Sequence, residues 1–331
     1  MNIKKMFDKY ILKLSRILGR KPTTCEMIRY AINGITDFIL YGSSISDYFE
    51  LGFYNKSRIE KKTYLTSRFH VKFVNAFDEM EKLRFHNSKR QEYLELKEFM
   101  GREQLFSTEC TIDELRDFVK RHPQFLYKPD ASDCGKGIKL INSTDYSLSY
   151  LFEIIRREPA ILDELVIQHE DMNKICPGSV NTLRIVTAKI NNKVTIIAAA
   201  LRLGSGTSLV DNFSAGGFVG AVNLKTGEII DDGENYTGQR FSEHPFTKVR
   251  FKGFMIPNWD KVVELIKNCS KSYNVNYVGW DIAVRQDDVI VIEANIMPMI
   301  HAFQIAGNGG KKSIYTHLLK EKKLYSKHLI S

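Results

Sequence analysis

The sequence lacks both the cysteine spacing of a zinc site and the even cysteine count of a disulfide framework. Its 331 residues include only five cysteines, which are scattered and contain no C-x-x-C pair. They are Cys25, Cys110, Cys134, Cys176 and Cys269. This usage is typical of reduced thiols, so it predicts a cytoplasmic protein without a structural zinc site.

Long apolar runs are also absent. No stretch approaches the roughly 18–20 apolar residues that a membrane-spanning helix requires. The N-terminus is basic but has neither an uninterrupted apolar core nor a small-residue cleavage site, so we do not expect a signal peptide. Internal repeats and low-complexity segments are missing, and the length predicts two or three packed subdomains.

Positive charge is concentrated at the N-terminus. The net charge is +9, and residues 1–21 contain seven lysines and arginines against the single acidic residue Asp8. Apolar residues recur in this segment at helical spacing. Such a basic amphipathic helix either docks on its own protein or lies on an anionic membrane surface, and both alternatives stay open. The rest of the chain carries little net charge and no nucleic-acid-binding motif, so we expect no nucleic-acid partner.

The hydrophobic pattern divides the chain into a helical and a mixed part. Residues up to about 105 are predicted to be mainly helical. Beyond them, "TIDELRDFVKRHP" predicts a helix, because Thr111 and Glu114 have the spacing of a capping box. Strands are predicted at "QFLYKPD", "GIKLIN", "ELVIQHE", "NTLRIVTAKI" and "KVTIIAAALRL", and a hairpin at "YVGWDIAVRQDDVIVIEAN". The predicted class is α+β, with mostly antiparallel strands in the C-terminal half.

The second strand of that hairpin carries polar residues where its apolar pattern should continue. Glu293 and Asn295 lie two residues apart and therefore share one face of the strand. With a turn centred on Asp287, Asp281 faces Glu293 across the hairpin. Two facing carboxylates repel unless a cation lies between them, and three oxygen-bearing side chains suit Mg²⁺ together with phosphate. The alternative is a solvent-facing acidic pair, but the apolar flanks favour burial.

A candidate phosphate-binding loop follows the strand "FLYK". Lys128 stands at the strand end, and glycines in the next residues let successive backbone N–H groups form an anion-binding nest. The loop is not a P-loop, and by itself it is more typical of an ordinary hairpin turn than of a nucleotide site. Its candidate residues are Ser132, Gly135, Lys136 and Gly137.

Two arginines interrupt otherwise apolar strands. Arg184 lies in "NTLRIV" and Arg202 in "ALRLG". A single arginine of this kind is usually an edge residue whose head reaches water. Two on neighbouring strands near a candidate metal site are predicted to face phosphate or a carboxylate.

The order of these motifs resembles the ATP-grasp superfamily of carboxylate–amine ligases. The matching stretches over roughly residues 86–300 are Lys128 with its loop, "VIQHE", "TLRI", "ALRL", "DNFSAGG", "GWDIAV" and "VIEAN". The motif order is similar to that of the ribosomal-protein glutamate ligase and lysine-biosynthesis ligase branch. The start, including "GSSISDYFELGFYNKSRIEKKTYL", is more similar to the sugar-transfer-associated ATP-grasp group, which is found with polysaccharide biosynthesis enzymes.

The resemblance implies a fold and an activity. The fold is two α+β subdomains that clasp ATP, here after a helical segment, with expected boundaries 1–85, 86–170 and 171–331. The implied activity is an ATP-dependent ligase that works through an acyl phosphate and joins an amino acid or amine to a carboxylate of a sugar or glycan precursor. The alternatives are a kinase acting on a sugar hydroxyl and a non-catalytic ATP-binding regulatory protein. The expected location is the cytoplasm, with contact between residues 1–21 and the inner face of the membrane as the open alternative.

The resemblance also implies roles for individual residues. ATP is expected to be bound by Lys89, Lys128, Ser132, Gly135, Lys136, Gly137, Gln168, His169 and Glu170. Mg²⁺, for which Mn²⁺ can substitute, is expected at Asp281, Glu293 and Asn295. Catalytic roles are expected for Arg184, Arg202 and Asn212. One departure is that Gly279 stands where related ligases often carry an arginine.

Overall fold

The computed structural model describes residues 3–86, 88–130, 137–206, 216–235 and 238–328. The helices in these ranges are α1 (Ile3–Leu18), α2 (Thr24–Tyr41), α3 (Ile45–Glu50), α4 (Arg58–Lys61), α5 (Ser67–Phe77), α6 (Met80–His86), α7 (Lys89–Met100), α8 (Ile112–Arg121), α9 (Leu148–Ile155), α10 (Glu170–Ile175), α11 (Trp259–Ser272) and α12 (Lys312–His328). The strands are β1 (Gln104–Phe106), β2 (Gln124–Pro129), β3 (Lys139–Asn142), β4 (Ala160–Glu164), β5 (Thr182–Ile190), β6 (Lys193–Leu203), β7 (Phe218–Ala221), β8 (Gly233–Asn235), β9 (Arg240–Phe241), β10 (Tyr277–Val284) and β11 (Val289–Asn295).

The strands form two antiparallel sheets. The smaller has the order β1-β4-β2-β3, and the larger has the order β11-β10-β5-β6-β7-β8-β9. Neighbouring strands are antiparallel throughout. The α+β class and the antiparallel C-terminal half are therefore confirmed. In the larger sheet β11 is an edge strand, which matters for the candidate site.

One predicted strand is wrong. "ELVIQHE" does not extend the smaller sheet, because β4 lies just before it and ends at Glu164. Its neighbour β1 begins at Gln104, opposite Asp163, so the chain beyond Glu164 has no partner on that side. His169 instead forms the N-terminal cap of α10.

The predicted helix after residue 110 is confirmed with its capping box. The Thr111 side chain accepts a hydrogen bond from the Glu114 backbone N–H at 3.2 Å. The Glu114 carboxylate accepts one from the Thr111 N–H at 2.7 Å. This reciprocal pair satisfies two N–H groups that a helix start leaves open, so a local sequence signal is enough to place α8.

The apolar stripe of α1 docks on the protein. Leu14 is fully buried, and Tyr10, Ile17 and Leu18 pack against the same cluster of buried residues. The Tyr10 hydroxyl donates to the Met27 carbonyl at 2.6 Å, which ties α1 to α2. Of the two alternatives for this stripe, docking is the one observed. No helix in the described part of the chain is long and apolar enough to cross a membrane.

The largest core lies against the seven-stranded sheet. Helices α5, α7, α11 and α12 cover it and contribute buried side chains to one continuous cluster. Helix α7 packs directly on the edge strand β11 and on α11. By its packing α7 therefore goes with the larger sheet, although its residues fall inside the segment that we expected to form the smaller subdomain.

Candidate functional site

The centre of the candidate site is a pair of carboxylates on the β10–β11 hairpin. Asp281 lies directly opposite Glu293, and Gly279 lies opposite Asn295. The predicted facing of Asp281 and Glu293 is thus what the structure shows. Side chains that are directly opposed on neighbouring strands lie about 4.5–5.5 Å apart at Cβ, so these two carboxylates influence one another strongly.

The reason for this pairing differs from the predicted one. The Arg285 N–H donates to the Asp288 carbonyl at 2.9 Å, so the turn has two central residues and is not centred on Asp287. Close to the turn the register is shifted by one residue from the predicted one. A β-bulge restores the predicted register, because Ile282 lies opposite Val291 while Asp281 lies opposite Glu293.

Asp281 is held by the two strand arginines. Arg184 donates to it through Nε and through Nη2, the latter at 2.8 Å, and Arg202 donates through Nη1 at 3.0 Å. Burial of Asp281 raises its pKa, but the two guanidinium groups outweigh burial and leave the pKa below its ordinary value. The structure therefore places both arginines beside the candidate metal ligand Asp281, whereas the sequence had predicted that they face phosphate or an acceptor carboxylate.

Glu293 has a different environment. Burial and the neighbouring Asp281 raise its pKa, while Arg184, Lys89 and Lys128 act in the opposite direction. No described residue donates a hydrogen bond to the Glu293 carboxylate. It is a half-buried carboxylate whose charge is incompletely compensated.

These donors fit a hard divalent cation. The Asn295 amide nitrogen is buried without a hydrogen-bond partner in the described ranges, and the amide oxygen is the atom of this side chain that can bind a metal. Mg²⁺ prefers one or two carboxylates and fills its other positions with water and phosphate oxygens. Glu293 offers carboxylate oxygens and Asn295 an amide oxygen, whereas Asp281 would have to exchange an arginine contact. The described residues contain no group of three or more His, Cys, Asp or Glu suited to a metal, so the fit rests on this small set.

Lys128 reaches the same region from the smaller sheet. It lies on β2 and forms an ion pair with Asp163 on β4. Burial acts to raise the pKa of Asp163, but Lys128 and Arg102 outweigh it and lower the pKa to about 2. Lys89, the first residue of α7, donates to the Asp130 carbonyl at 3.2 Å. Both predicted ATP-binding lysines thus lie near the end of β2, and both act on the charge of Glu293.

The candidate phosphate loop is described only at its end. Gly137 has a φ of 78°, which favours glycine, and a Cβ there would lie 3.2 Å from the Pro129 ring. Ser132, Gly135 and Lys136 fall outside the described residues, as does Asn212. Their proposed roles continue to rest on the sequence.

The stretch "VIQHE", whose last three residues were expected to bind ATP, requires a correction at Gln168. Its side chain is buried and is used within the fold: the amide nitrogen donates to Asn173, Cys176 and Ser179, and the amide oxygen accepts from the Asn181 N–H at 2.9 Å. Gln168 therefore holds the loop in shape and leaves no side-chain group for the nucleotide. The backbone around it is the part that can take this role.

The next two residues, His169 and Glu170, connect this stretch to the β10–β11 hairpin. The His169 backbone N–H donates to the Val284 carbonyl at 2.8 Å. The Glu170 N–H lies 3.4 Å from the Gln286 side-chain oxygen. The Glu170 side chain is exposed, and it stays a candidate for contact with ribose or adenine.

A family model matches most of this chain. The model is described as sugar-transfer associated ATP-grasp, and the match runs over residues 80–319. The chain belongs to this family. The prediction of an α+β ATP-grasp fold is therefore confirmed, and ATP with Mg²⁺ is confirmed at the level of the family.

Solved structures of other ATP-grasp proteins show low similarity. The ligase PsnB, complexed with a phosphomimetic variant of its minimal precursor, Mg and ADP, is 14% identical with a TM-score of 0.47 over 73% of this chain and 61% of PsnB. N5-carboxyaminoimidazole synthetase from Staphylococcus aureus with ADP is 11% identical, with a TM-score of 0.42 over 69% and 54%. A RiPP-associated ligase from Chryseobacterium gregarium with ADP and a leader and core peptide is 12% identical, with a TM-score of 0.44 over 80% and 72%.

The chain spans less than two thirds of the length of PsnB and of the synthetase. Among curated proteins, none matches the sequence significantly. The activity and the substrates are accordingly matters for proposal.

Two residues of this ATP-grasp site were missed by sequence reasoning. Arg102 donates to Asp163 at 2.7 Å and, through its other nitrogens, to the carbonyls of Val291 at 2.6 Å and Ile292 at 2.9 Å. Asp163 lies next to Glu164 in the otherwise apolar run "AILDELV", a signal similar to the one that singled out Glu293. That sequence signal could have identified Asp163 as a candidate site residue.

Glu92 was missed as well. It lies on α7, and its carboxyl accepts a hydrogen bond from the Ala294 N–H at 2.6 Å, between the two open candidate ligands. Burial, together with the nearby Glu293, raises the pKa of Glu92 to about 8. No local motif marks this residue, because its role depends on packing of α7 against an edge strand.

Proposed function

We propose that this protein is an ATP-dependent carboxylate–amine ligase. The observation that carries the proposal is the opposed pair Asp281 and Glu293, with Lys89, Lys128 and Arg184 all close enough to act on the charge of Glu293. Such a site combines a cation-binding pair with fixed positive charge, which is what transfer of a phosphoryl group requires.

Each part of the site has a proposed role. Lys89 and Lys128 bind phosphate oxygens of ATP from two different elements, and the backbone around His169 binds the adenine. Glu293, Asn295 and Asp281 are the residues that would hold Mg²⁺. Bound Mg²⁺ supplies positive charge to the phosphate oxygens.

The strand arginines are proposed to orient the acceptor carboxylate. Arg184 and Arg202 are fixed by Asp281, and planar guanidinium groups bind carboxylates through paired hydrogen bonds. A carboxylate held there attacks the terminal phosphorus of ATP, and its C–O oxygen forms the new P–O bond while ADP leaves. An amine then attacks the acyl phosphate, loses a proton and displaces phosphate, which leaves an amide.

The substrate class rests on the family description. Sugar-transfer association supports a carboxylate on a sugar or glycan precursor, such as a uronic acid, in polysaccharide biosynthesis. The amine is proposed to be an amino acid or a related small amine. The similar solved structures include ligases bound to precursor peptides, so a peptide carboxylate is the comparison substrate for the assay.

The test is release of ADP and phosphate from MgATP by the wild type and by Glu293→Gln. Pooled amino acids are supplied with and without a uronic-acid sugar, and in a parallel reaction a peptide that carries a carboxylate replaces the sugar. Release that requires both partners and is lost in the variant supports the ligase. Release with the sugar alone, accompanied by a phosphorylated sugar, would identify a kinase instead. ATP binding without turnover in every pool would favour the regulatory alternative.

A further inference from the structure

Helix α2 exposes a continuous apolar face. The side chains that carry it are between 55% and 71% exposed, although each is large and apolar. They are Ile28, Ile32, Ile35, Phe38, Ile39 and Leu40. A surface helix normally presents polar side chains to water, and contiguous apolar patches of this kind mark interaction sites.

The opposite face of α2 is docked in the ordinary way. Met27, Tyr30 and Tyr41 pack against the N-terminal cluster of buried residues. Asp37 is buried and forms an ion pair with Lys61 at 2.7 Å. Asp37 is also the one charged residue in the sequence from 30 to 41, so the outward face in that stretch carries no charge. The packing of α2 on the protein therefore leaves its apolar face exposed to solvent.

The surroundings of this face are cationic. Residues 1–62 contain twelve lysines and arginines and six acidic residues. Four of these acidic residues are engaged in ion pairs within the fold, namely Glu26 with Arg20, Asp37 with Lys61, Glu50 with Lys13 and Asp47 with His301. The charge presented to solvent by this segment is consequently dominated by lysine and arginine.

The cations lie at both ends of α2. Lys21 is exposed just before the helix, and Arg29 is exposed in its first half. Arg58 and Lys62 are exposed in and next to α4, which the Lys61–Asp37 ion pair places beside the second half of α2. An apolar stripe with cations at its margins is the arrangement that binds the surface of an anionic bilayer.

We propose that the outward face of α2 docks on an anionic lipid bilayer. The apolar side chains enter the boundary between headgroups and acyl chains, and the flanking cations contact lipid phosphates. A second copy of the chain fits less well, because pairing two α2 faces would bring two cationic margins together. The contact is peripheral and uses α2, whereas the sequence had pointed to the stripe of α1.

The test uses the full chain and vesicle flotation. Vesicles of phosphatidylcholine alone are compared with vesicles that also contain phosphatidylglycerol. We expect the wild type to float with the anionic vesicles, less so as salt is raised. Ile32→Glu is expected to lower vesicle binding by at least about tenfold, because a charge replaces an aliphatic side chain that the bilayer would bury. Circular dichroism and the thermal transition are expected to stay unchanged, since Ile32 is exposed.

The matched control is Leu140→Glu. Leu140 is an exposed aliphatic residue on β3 of the other sheet, so the substitution makes a similar change in charge and apolar area away from α2. Its vesicle binding is expected to equal that of the wild type. A second variant, Ile35→Gln, removes apolar area without adding charge and is expected to lose binding to a smaller extent.

Three results would overturn the proposal. One is no flotation of the wild type with either vesicle, and another is equal loss of binding in Ile32→Glu and Leu140→Glu. The third is a wild-type dimer in sedimentation that Ile32→Glu converts to monomer without any vesicle binding, which would assign the face to a second copy of the chain.

Discussion

Arg102 and Asp163 form a buried ion pair that links the two sheets. The side chains are 2% and 1% exposed, and the distance from Nε to Oδ1 is 2.7 Å. Asp163 also holds Lys128, while the far nitrogens of Arg102 bind carbonyls at the bulge of β11. One arginine therefore connects the lysine proposed for ATP phosphate with the strand that carries the candidate metal ligands.

The first prediction concerns the geometry of this arginine. Arg102→Lys keeps the positive charge beside Asp163, but its single ammonium group lacks the planar fork that lets three separate nitrogens reach Asp163 and both carbonyls. We expect the free energy of unfolding to fall by about 2–3 kcal/mol, the range for lost hydrogen bonds from a charged group. We also expect weaker MgATP binding, because both Lys128 and Glu293 depend on this link. Urea unfolding and calorimetric ATP titration measure the two effects.

The control for this prediction is Arg121→Lys. Arg121 pairs with Glu103 on the surface, where an ion pair contributes less than about 1 kcal/mol. Similar changes in both variants would show that Arg102 has no special role.

The same arginine explains what the sequence could and could not predict about the hairpin. A turn centred on Asp287 predicted Asp281 opposite Glu293, and this pairing is observed only because the bulge compensates for a turn with two central residues. The bulge at Ile292 could not be predicted from the local sequence. It brings the carbonyls of two consecutive residues within reach of the Arg102 guanidinium, and Arg102 lies 189 positions from Val291 in the sequence. Long-range contacts of this kind leave no local pattern.

Gln168 shows a case in which a sequence motif suggested a contact that the fold does not provide. Its position in a recognisable motif suggested contact with the nucleotide, but its amide is occupied by neighbours between Asn173 and Asn181. A motif locates a segment reliably, while the partner of each side chain is decided by the fold. Asp163 was a different omission, since a carboxylate in a largely apolar strand requires a partner when it is buried.

The second prediction concerns Glu92. Its pKa of about 8 means that the carboxyl is mainly protonated at neutral pH, so Glu92→Gln closely imitates it. We expect that variant to unfold within about 1 kcal/mol of the wild type. Glu92→Ala leaves the buried Ala294 N–H without an acceptor and is expected to lose about 1–3 kcal/mol. Chemical denaturation of both variants provides the measurement.

Glu98→Ala is the matched control for Glu92. Glu98 is exposed on the same helix, and surface substitutions of this kind usually change stability by less than about 0.5 kcal/mol. A loss in Glu92→Ala no larger than in Glu98→Ala would contradict the assigned hydrogen bond.

The third prediction is a pH dependence of stability from His70. Burial, and secondarily the charge of His301, lowers the pKa of His70 to about 4, although Asp47 acts in the opposite direction. The unfolded chain binds the proton with a pKa near 6.5, so it gains more protons than the folded chain between these values. His70 therefore leaves the stability unchanged above about pH 6.5 and lowers it progressively as the pH falls towards 4. The loss between pH 7 and pH 5 is about 2 kcal/mol.

Unfolding of His70→Gln over the same pH range tests this. Glutamine keeps a polar partner for the Tyr277 hydroxyl, which lies 3.1 Å from His70 Nε2, but it does not titrate. The pH dependence is expected to become shallower by about that amount. His317→Gln serves as the control, because His317 is 75% exposed and its loss should leave the slope unchanged. Equal slopes in all three proteins would contradict the prediction.

The last prediction separates the two facing carboxylates. Asp281→Asn removes the charge that two buried arginines share, and loss of one partner from a buried ion pair costs about 3–5 kcal/mol. Glu293→Gln instead removes a carboxylate that Asp281 repels, so its stability is expected to equal or exceed that of the wild type. Both variants are expected to lose turnover. Only Asp281→Asn should unfold at a clearly lower urea concentration. Mg²⁺ is expected to increase the ATP affinity of the wild type, and EDTA is expected to abolish this increase. Glu293→Gln should lose the increase. Retention of that increase in Glu293→Gln would remove Glu293 from the metal site while leaving the charge pairing of Asp281 intact.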